Sequence, residues 1–289
     1  MKRIIGISLA SSSRDHKATI KIGKDNFSLE RYGTDGDFKK ARDLFLRYDD
    51  KASAFGLGGI DFYLGINKMH KMHAAWNLTN GLKTPVFDGS GIKESIDTNS
   101  LEILSKKIDF STKKIFMVCA CNRKGMAKYL EHKAGEIIYG DFMFGLKIPL
   151  AVRNLTMGEF LADMVLPIAT RLPYKYLYPL KKKKTQSKFQ KYFDWADIIA
   201  GDFHYINRYS NALHKKIVIT TTITKPDIDS MRKKGASLLV ITTPNLNGRS
   251  FGSNLIEALL YAKFGKDYLI HLSEMDFKPE FIELDRIIL

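Results

Sequence analysis

Four short, largely apolar runs, each set off by a stretch of helical periodicity or a turn, constrain this chain more than any other feature. They are IFMVCA at 115–120, IIYG at 137–140, KIVIT at 216–220 and SLLVI at 237–241. Strand-length runs without apolar–polar alternation are buried on both faces, and strands of that kind belong to parallel sheets covered by helices. The segments between them agree. Lys124 to His132 and Asp227 to Lys234 read as helices, with Pro226 at a start and Gly135 and Gly235 as stops. Two βαβ units follow, and with them an α/β fold with a mostly parallel, doubly wound, Rossmann-like sheet whose ligands sit beyond the carboxyl ends of the strands. A partial internal echo supports this cadence: GEIIYGDF at 135–142 resembles ADIIAGDF at 196–203.

The first hundred residues have a different rhythm. Residues 3–9, 16–22 and 26–32 are strand-like and separated by polar turns, which predicts an antiparallel meander. Asp37 to Tyr48 has helical spacing, and Ser53 to Leu57 forms a strand ending in Gly58-Gly59-Ile60-Asp61. Residues 68–82 carry His70, His73 and Trp76 on a predicted helix, as surface or cleft residues with no third ligand for a metal. Thr84 to Phe87 is a short strand before Asp88-Gly89-Ser90-Gly91. The organisation expected is an N-terminal part, 1–112, holding the GLGGID loop, and a Rossmann-like part, 113–289, holding the GRSFGSN loop, as two lobes around a strand-end cleft.

The two cysteines, Cys119 and Cys121, are too close for a disulfide framework and too few for a metal site. No segment has the roughly 20 uninterrupted apolar residues a membrane span needs, so a cytoplasmic protein is expected. The formal net charge of +15 points to anionic partners. Because lysines are scattered and the only run is Lys181 to Lys184, an anionic small molecule is favoured over nucleic acid or membrane. A homodimer is also allowed.

The third small-residue loop is the most suggestive. After the strand ending at Ile241, the polar segment with Gly248, Arg249, Ser250, Gly252, Ser253 and Asn254 leads into a helix carrying Leu255, Ile256, Leu259 and Leu260. A helix start offers free N–H groups and positive potential, and Arg249 adds a cation, so this stretch reads as an anion site. Elsewhere at strand ends stand Gly58, Gly59, Asp61, Asp88, Ser90, Thr221 and Thr243 as substrate contacts, and Asp141, Asp202 and His204 as acid–base candidates. His204 is the strongest of these, since imidazole changes charge near neutral pH. Arg123, like Arg249, suits an anion better than chemistry.

From about Asp35 to Ala262 the chain resembles bacterial proteins catalogued as quinate 5-dehydrogenases, a shikimate/quinate dehydrogenase-like family. The resemblance is carried by TDGDFKKA at 34–41, AFGLGGIDFYL at 54–64, FDGSG at 87–91, WADIIAGDFHYINRY at 195–209 and TTPNLNGRSFGSNLIEA at 242–258. It implies an NAD(P)-dependent oxidoreductase acting on a polyhydroxylated cyclic acid, with NAD or NADP as cofactor. Asn122-Arg123-Lys124 looks like that family's Asn-Arg-Thr cofactor-phosphate motif. Alternatively, Gly248 to Ala258 is similar to the donor-binding segment of two-Rossmann-domain glycosyltransferases, in which Glu257 would bind a ribose. A third expectation is a non-catalytic binding protein for an anionic metabolite.

Overall fold

The computed structural model describes residues 1–173, 188–246, 249–275 and 277–284. The first part contains β1 (Lys2–Ser8), β2 (His16–Ile22), β3 (Asp25–Gly33), α1 (Phe38–Tyr48), β4 (Ala54–Gly58), β5 (Tyr63–Leu64), β6 (His70–Lys71), α2 (His73–Thr79), β7 (Val86–Phe87) and α3 (Ser90–Ser105). The second contains β8 (Lys114–Met117), α4 (Lys124–Glu131), β9 (Glu136–Tyr139), α5 (Asp141–Gly145), α6 (Leu155–Ala169), α7 (Gln190–Trp195), β10 (Ile198–Ala200) and α8 (Phe203–Tyr209). It continues with β11 (Ile217–Thr220), α9 (Lys225–Lys233), β12 (Leu238–Ile241), β13 (Asn245–Leu246), β14 (Arg249–Ser250), α10 (Ser253–Phe264) and β15 (Glu280–Glu283).

Two mostly parallel sheets result. The first runs β2-β3-β1-β4-β7 and the second β15-β12-β11-β10-β8-β9. The expected antiparallel meander is corrected: only β2 and β3 form a hairpin, and β3 then lies parallel to β1, Ile4 opposite Leu29. Alternation along β1 is absent, as Ile4, Ile5 and Ile7 are all fully buried. A strand that apolar needs parallel neighbours on both sides and helices on both faces. In the second sheet β15 is the one antiparallel member, pairing Val240 with Phe281.

Each sheet is covered on both faces. Phe45 of α1 and Leu78 of α2 pack on one face of the first sheet, and Ile92 and Ile96 of α3 with Leu255 and Leu259 of α10 on the other. The second sheet buries Met126 and Leu130 of α4 and Leu155 of α6 on one side, and Phe193, Ile206 and Met231 on the other. The expected division between residues 112 and 113 therefore meets a return of the chain: α10 leaves the second part to cover the first sheet. Helix α3 serves both lobes, Ile92 and Ile96 in the first core and Leu101 and Leu104 in the second.

A buried carboxylate is built into the first sheet. Glu30 accepts from Arg3 Nε and Nη2 at 3.2 and 3.1 Å and from the Tyr32 hydroxyl at 2.7 Å, with Lys17 Nζ at 3.3 Å. Burial alone would raise its pKa; the hydrogen bonds from Arg3, Tyr32 and Lys17 outweigh that and hold it at about 2. A carboxyl depressed in the folded state contributes stability that is complete above its unfolded pKa, about 4.3, and is lost as pH falls through the folded value. Urea midpoints measured from pH 5 down to pH 2.5 should therefore fall less steeply in Glu30→Gln than in the parent. Parallel slopes would refute the assignment.

Candidate binding cleft

The carboxyl ends of both sheets face one another, and a polar network joins them. Its centre is the β8–α4 loop. In the second sheet β8 lies between β9 and β10, so the two echo sequences end on either side of this loop and both supply an aspartate to it. Asp141 accepts from the backbone N–H groups of Ala120 and Cys121, each at 2.9 Å. Asp202 accepts from the Asn122 amide and, at 3.0 Å, from Arg123 Nε. The echo thus encodes a clamp on the central loop. Asp141, expected as an acid–base candidate, has both oxygens committed to holding backbone.

Arg123 is buried, with 6% of its side chain exposed, and its Nη1 is 3.4 Å from Asp97 on α3. Thr242, at the end of β12, donates to the other Asp97 oxygen at 2.9 Å. Burial opposes the guanidinium charge, yet Asp202 and Asp97 more than offset it and keep Arg123 protonated. Of the two carboxylates, Asp97 is pushed up by burial, whereas Arg123 and Lys93 hold Asp202 below the usual range despite burial. Arg123, expected to grip a cofactor phosphate, has its charge paired with carboxylates of two lobes. Lys124, its neighbour, lies 3.6 Å from Glu94.

A second cation, Lys93 of α3, pairs with Asp61 and has Asn122 Oδ1 at 3.4 Å. Burial and the nearby Asp88 push the Asp61 carboxyl up to about 6, with Lys93 pulling the other way. Asp88 caps its own loop, accepting from Phe62 N at 2.6 Å and Ser90 N at 2.9 Å. At the cleft mouth Arg14 of the first lobe pairs with Asp227 of α9 and lies 3.3 Å from His204 Nε2. Arginine has no acceptor, so Nε2 must accept and the imidazole proton sits on Nδ1. His204 keeps solvent contact while surrounded by protein; desolvation and then Arg14 lower its pKa, so it is neutral at pH 7. The nitrogen it would offer as a base is already engaged.

The three glycine-rich loops converge, but on one another. A Cβ on Gly56 would stand 3.0 Å from Asn254 Nδ2, one on Gly58 2.8 Å from Ser8 Oγ, one on Gly89 2.7 Å from Asn254 N, and one on Gly91 2.8 Å from Tyr268 Oη and against Glu257. The glycines let the first turn of α10 sit on the ends of β4 and β7. Ser253 and Glu257 are buried in that contact, and Glu257 accepts from the Tyr268 hydroxyl at 2.6 Å. Glu257, expected to bind a ribose, thus has its carboxylate in the contact with Tyr268, and Gly58, expected as a substrate contact, lies against Ser8 and Asn254. Thr243 is buried 2.6 Å from Ser250 Oγ, and Thr221 is buried just past the end of β11. Gly248 and the Lys181–Lys184 run lie outside the described residues, and Arg249 is placed by its backbone pairing with Leu246. His70 and His73 do not share a helix face: His70 is in β6, 2.8 Å from Asp163, and His73 opens α2.

One feature the sequence reading missed is a cavity of about 100 Å³ beside Asn122. Its walls are apolar, from Val118, Phe142, Phe144 and Leu166, with Asn122, Asp141 and Tyr205 as the polar points. Phe144 and Tyr205 stack at 6.0 Å. The volume is well above what one water fills.

A family model described as a domain of unknown function, DUF8754, matches residues 91–284. The chain belongs to the DUF8754 family. A second model, DUF8753, also a domain of unknown function, matches residues 3–88 of this DUF8754 protein. No curated protein matches it. Among solved structures it is similar to a galactofuranose binding protein at 11% identity and TM-score 0.38, covering 98% of this chain and 95% of that one. A glucose-galactose binding protein from Geobacillus stearothermophilus gives 8% identity and 0.40, over 100% and 99% of the two chains. An NAD-dependent malic enzyme from Thermotoga maritima gives 13% and 0.33, over 95% and 72%. Scores of this size assign neither ligand nor activity. The expectation of an NAD(P)-dependent dehydrogenase gains no support here: the similar structures are named mainly as sugar-binding proteins, with the malic enzyme beside them.

Proposed function

We propose that this protein is a non-catalytic binding protein for a small, uncharged, hydroxyl-bearing molecule of the sugar or polyol class, held in the strand-end cleft with its less polar face in the cavity beside Asn122. The observation that carries this reading is the sign of the cleft. In a chain of net charge +15, the described groups around Asn122 include five carboxylates, Asp61, Asp88, Asp97, Asp141 and Asp202, against two cations, Lys93 and Arg123. An anion would meet a net negative field there; hydroxyl groups can donate to the remaining carboxylate lone pairs while an aromatic pair lines the apolar side.

Thermal-shift titration with neutral monosaccharides and polyols, and with the sugar acids that match them, tests this. A neutral sugar at 100 times its dissociation constant should stabilise the fold by about 2.7 kcal/mol. The matching acid should respond more weakly, and Asn122→Ala should abolish the shift. A response confined to the acids would overturn the reading.

A further inference from the structure

Helix α6 is apolar on two opposite sides. Leu155, Ala162 and Ala169 are buried, Leu155 in the core of the second sheet and the two alanines at the cavity beside Asn122. Its only acids, Glu159 and Asp163, turn towards the first lobe, Glu159 meeting Asn67 at 2.7 Å and Asp163 meeting His70 at 2.8 Å. The remaining face carries Met157, Phe160, Met164 and Ile168, spaced three, four and four residues apart and 54%, 60%, 56% and 69% exposed. A helix on a water-facing surface places polar side chains there. This face has none.

Charge decides what covers it. Lys147 and Arg153 precede the helix and Arg171 follows it, all exposed, together with exposed apolar residues Ile148, Leu150 and Leu172. The chain carries a net charge of +15, so two copies joined stripe to stripe would bring like charges together, whereas an anionic surface would attract them. Among the described residues no helix is long and apolar enough to cross a membrane. We infer that the outer face of α6 docks on an anionic lipid surface, with the helix lying in the plane of the interface and Met157, Phe160, Met164 and Ile168 inserted among the headgroups and upper acyl chains.

The test is flotation of the full chain with vesicles of phosphatidylcholine alone and of phosphatidylcholine mixed with phosphatidylglycerol. The expected result is binding to the mixed vesicles that weakens as salt is raised, falls at least about tenfold in F160S/M164S/I168S, and falls also in R171E. Unchanged melting temperatures show that the variants fold; should the triple variant not fold, F160S alone carries the comparison. Absence of vesicle binding by the parent chain, or equal binding by parent and variants, would overturn the inference. So would a solution dimer that the triple variant dissociates in the absence of any vesicle binding, which would assign the face to a second copy.

Discussion

Arg123→Leu should cost about 3–5 kcal/mol of folding free energy, the range seen when one partner is removed from a buried ion pair. The reason is what remains. Asp97 and Asp202 would be left facing each other through a site with no cation between them, while Asp97 is 1% exposed and cannot turn to water. Against a total stability of 5–15 kcal/mol for a typical domain, the loss is a large fraction. Equilibrium urea unfolding measures it directly. Adding Asp97→Asn and Asp202→Asn to the arginine variant should restore part of the loss, because the uncompensated charges are then gone. A cost below about 1 kcal/mol for Arg123→Leu alone would mean that the network is hydrated and that the two lobes are not tied there.

Gly89→Ala should be nearly as damaging, through geometry and not charge. Gly89 has φ 91° and a new Cβ would run into Ser253 Oγ and stand 2.7 Å from Asn254 N. Left-handed backbone costs a non-glycine residue about 1–2 kcal/mol. Forcing the first turn of α10 away adds about 1–3 kcal/mol of overpacking. Gly81 supplies the control: its φ is 74°, and nothing lies within 4 Å of a Cβ there. Gly81→Ala should show the conformational cost alone, so the difference between the two variants isolates the contact of α10 with the β7–α3 turn. Equal effects would deny that contact.

The second sheet was legible because its strands are continuous aliphatic runs of the kind only a parallel, helix-covered sheet can bury; β8, β9, β11 and β12 stand within a few residues of their predicted places. The first sheet was harder. Three strands in succession read as a meander, since sequence spacing records the turn after β2 but not that β3 passes over to lie beside β1. Helix α3 went unseen over most of its length, because its apolar positions change partner halfway and no single stripe persists. At the site, residue types were easier to recognise than their commitments. Asp141, Asp202, Arg123 and Glu257 are polar groups at strand or helix ends, as ligand-binding groups would be, but their partners come from elements distant in the chain. Gly58 and Gly59 were read as substrate contacts; beside Gly56, Gly58 and Gly89 the space is taken by Ser253 and Asn254 of α10, and only three-dimensional contact reveals that.

The path of α10 has a consequence for the order in which this protein can be made. The first sheet is complete in backbone once β7 has left the ribosome, yet one of its faces waits for α3 and for Leu255, Ile256 and Leu259, which are synthesised only after every strand of the second sheet except β15. Until then Ile4, Leu29 and Ala54 face solvent or a chaperone. Contacts closed across so much intervening chain are slow to form and leave apolar surface open meanwhile. The two family segments, 3–88 and 91–284, therefore mark a boundary in sequence that folding does not respect: the first cannot finish until the second is nearly whole.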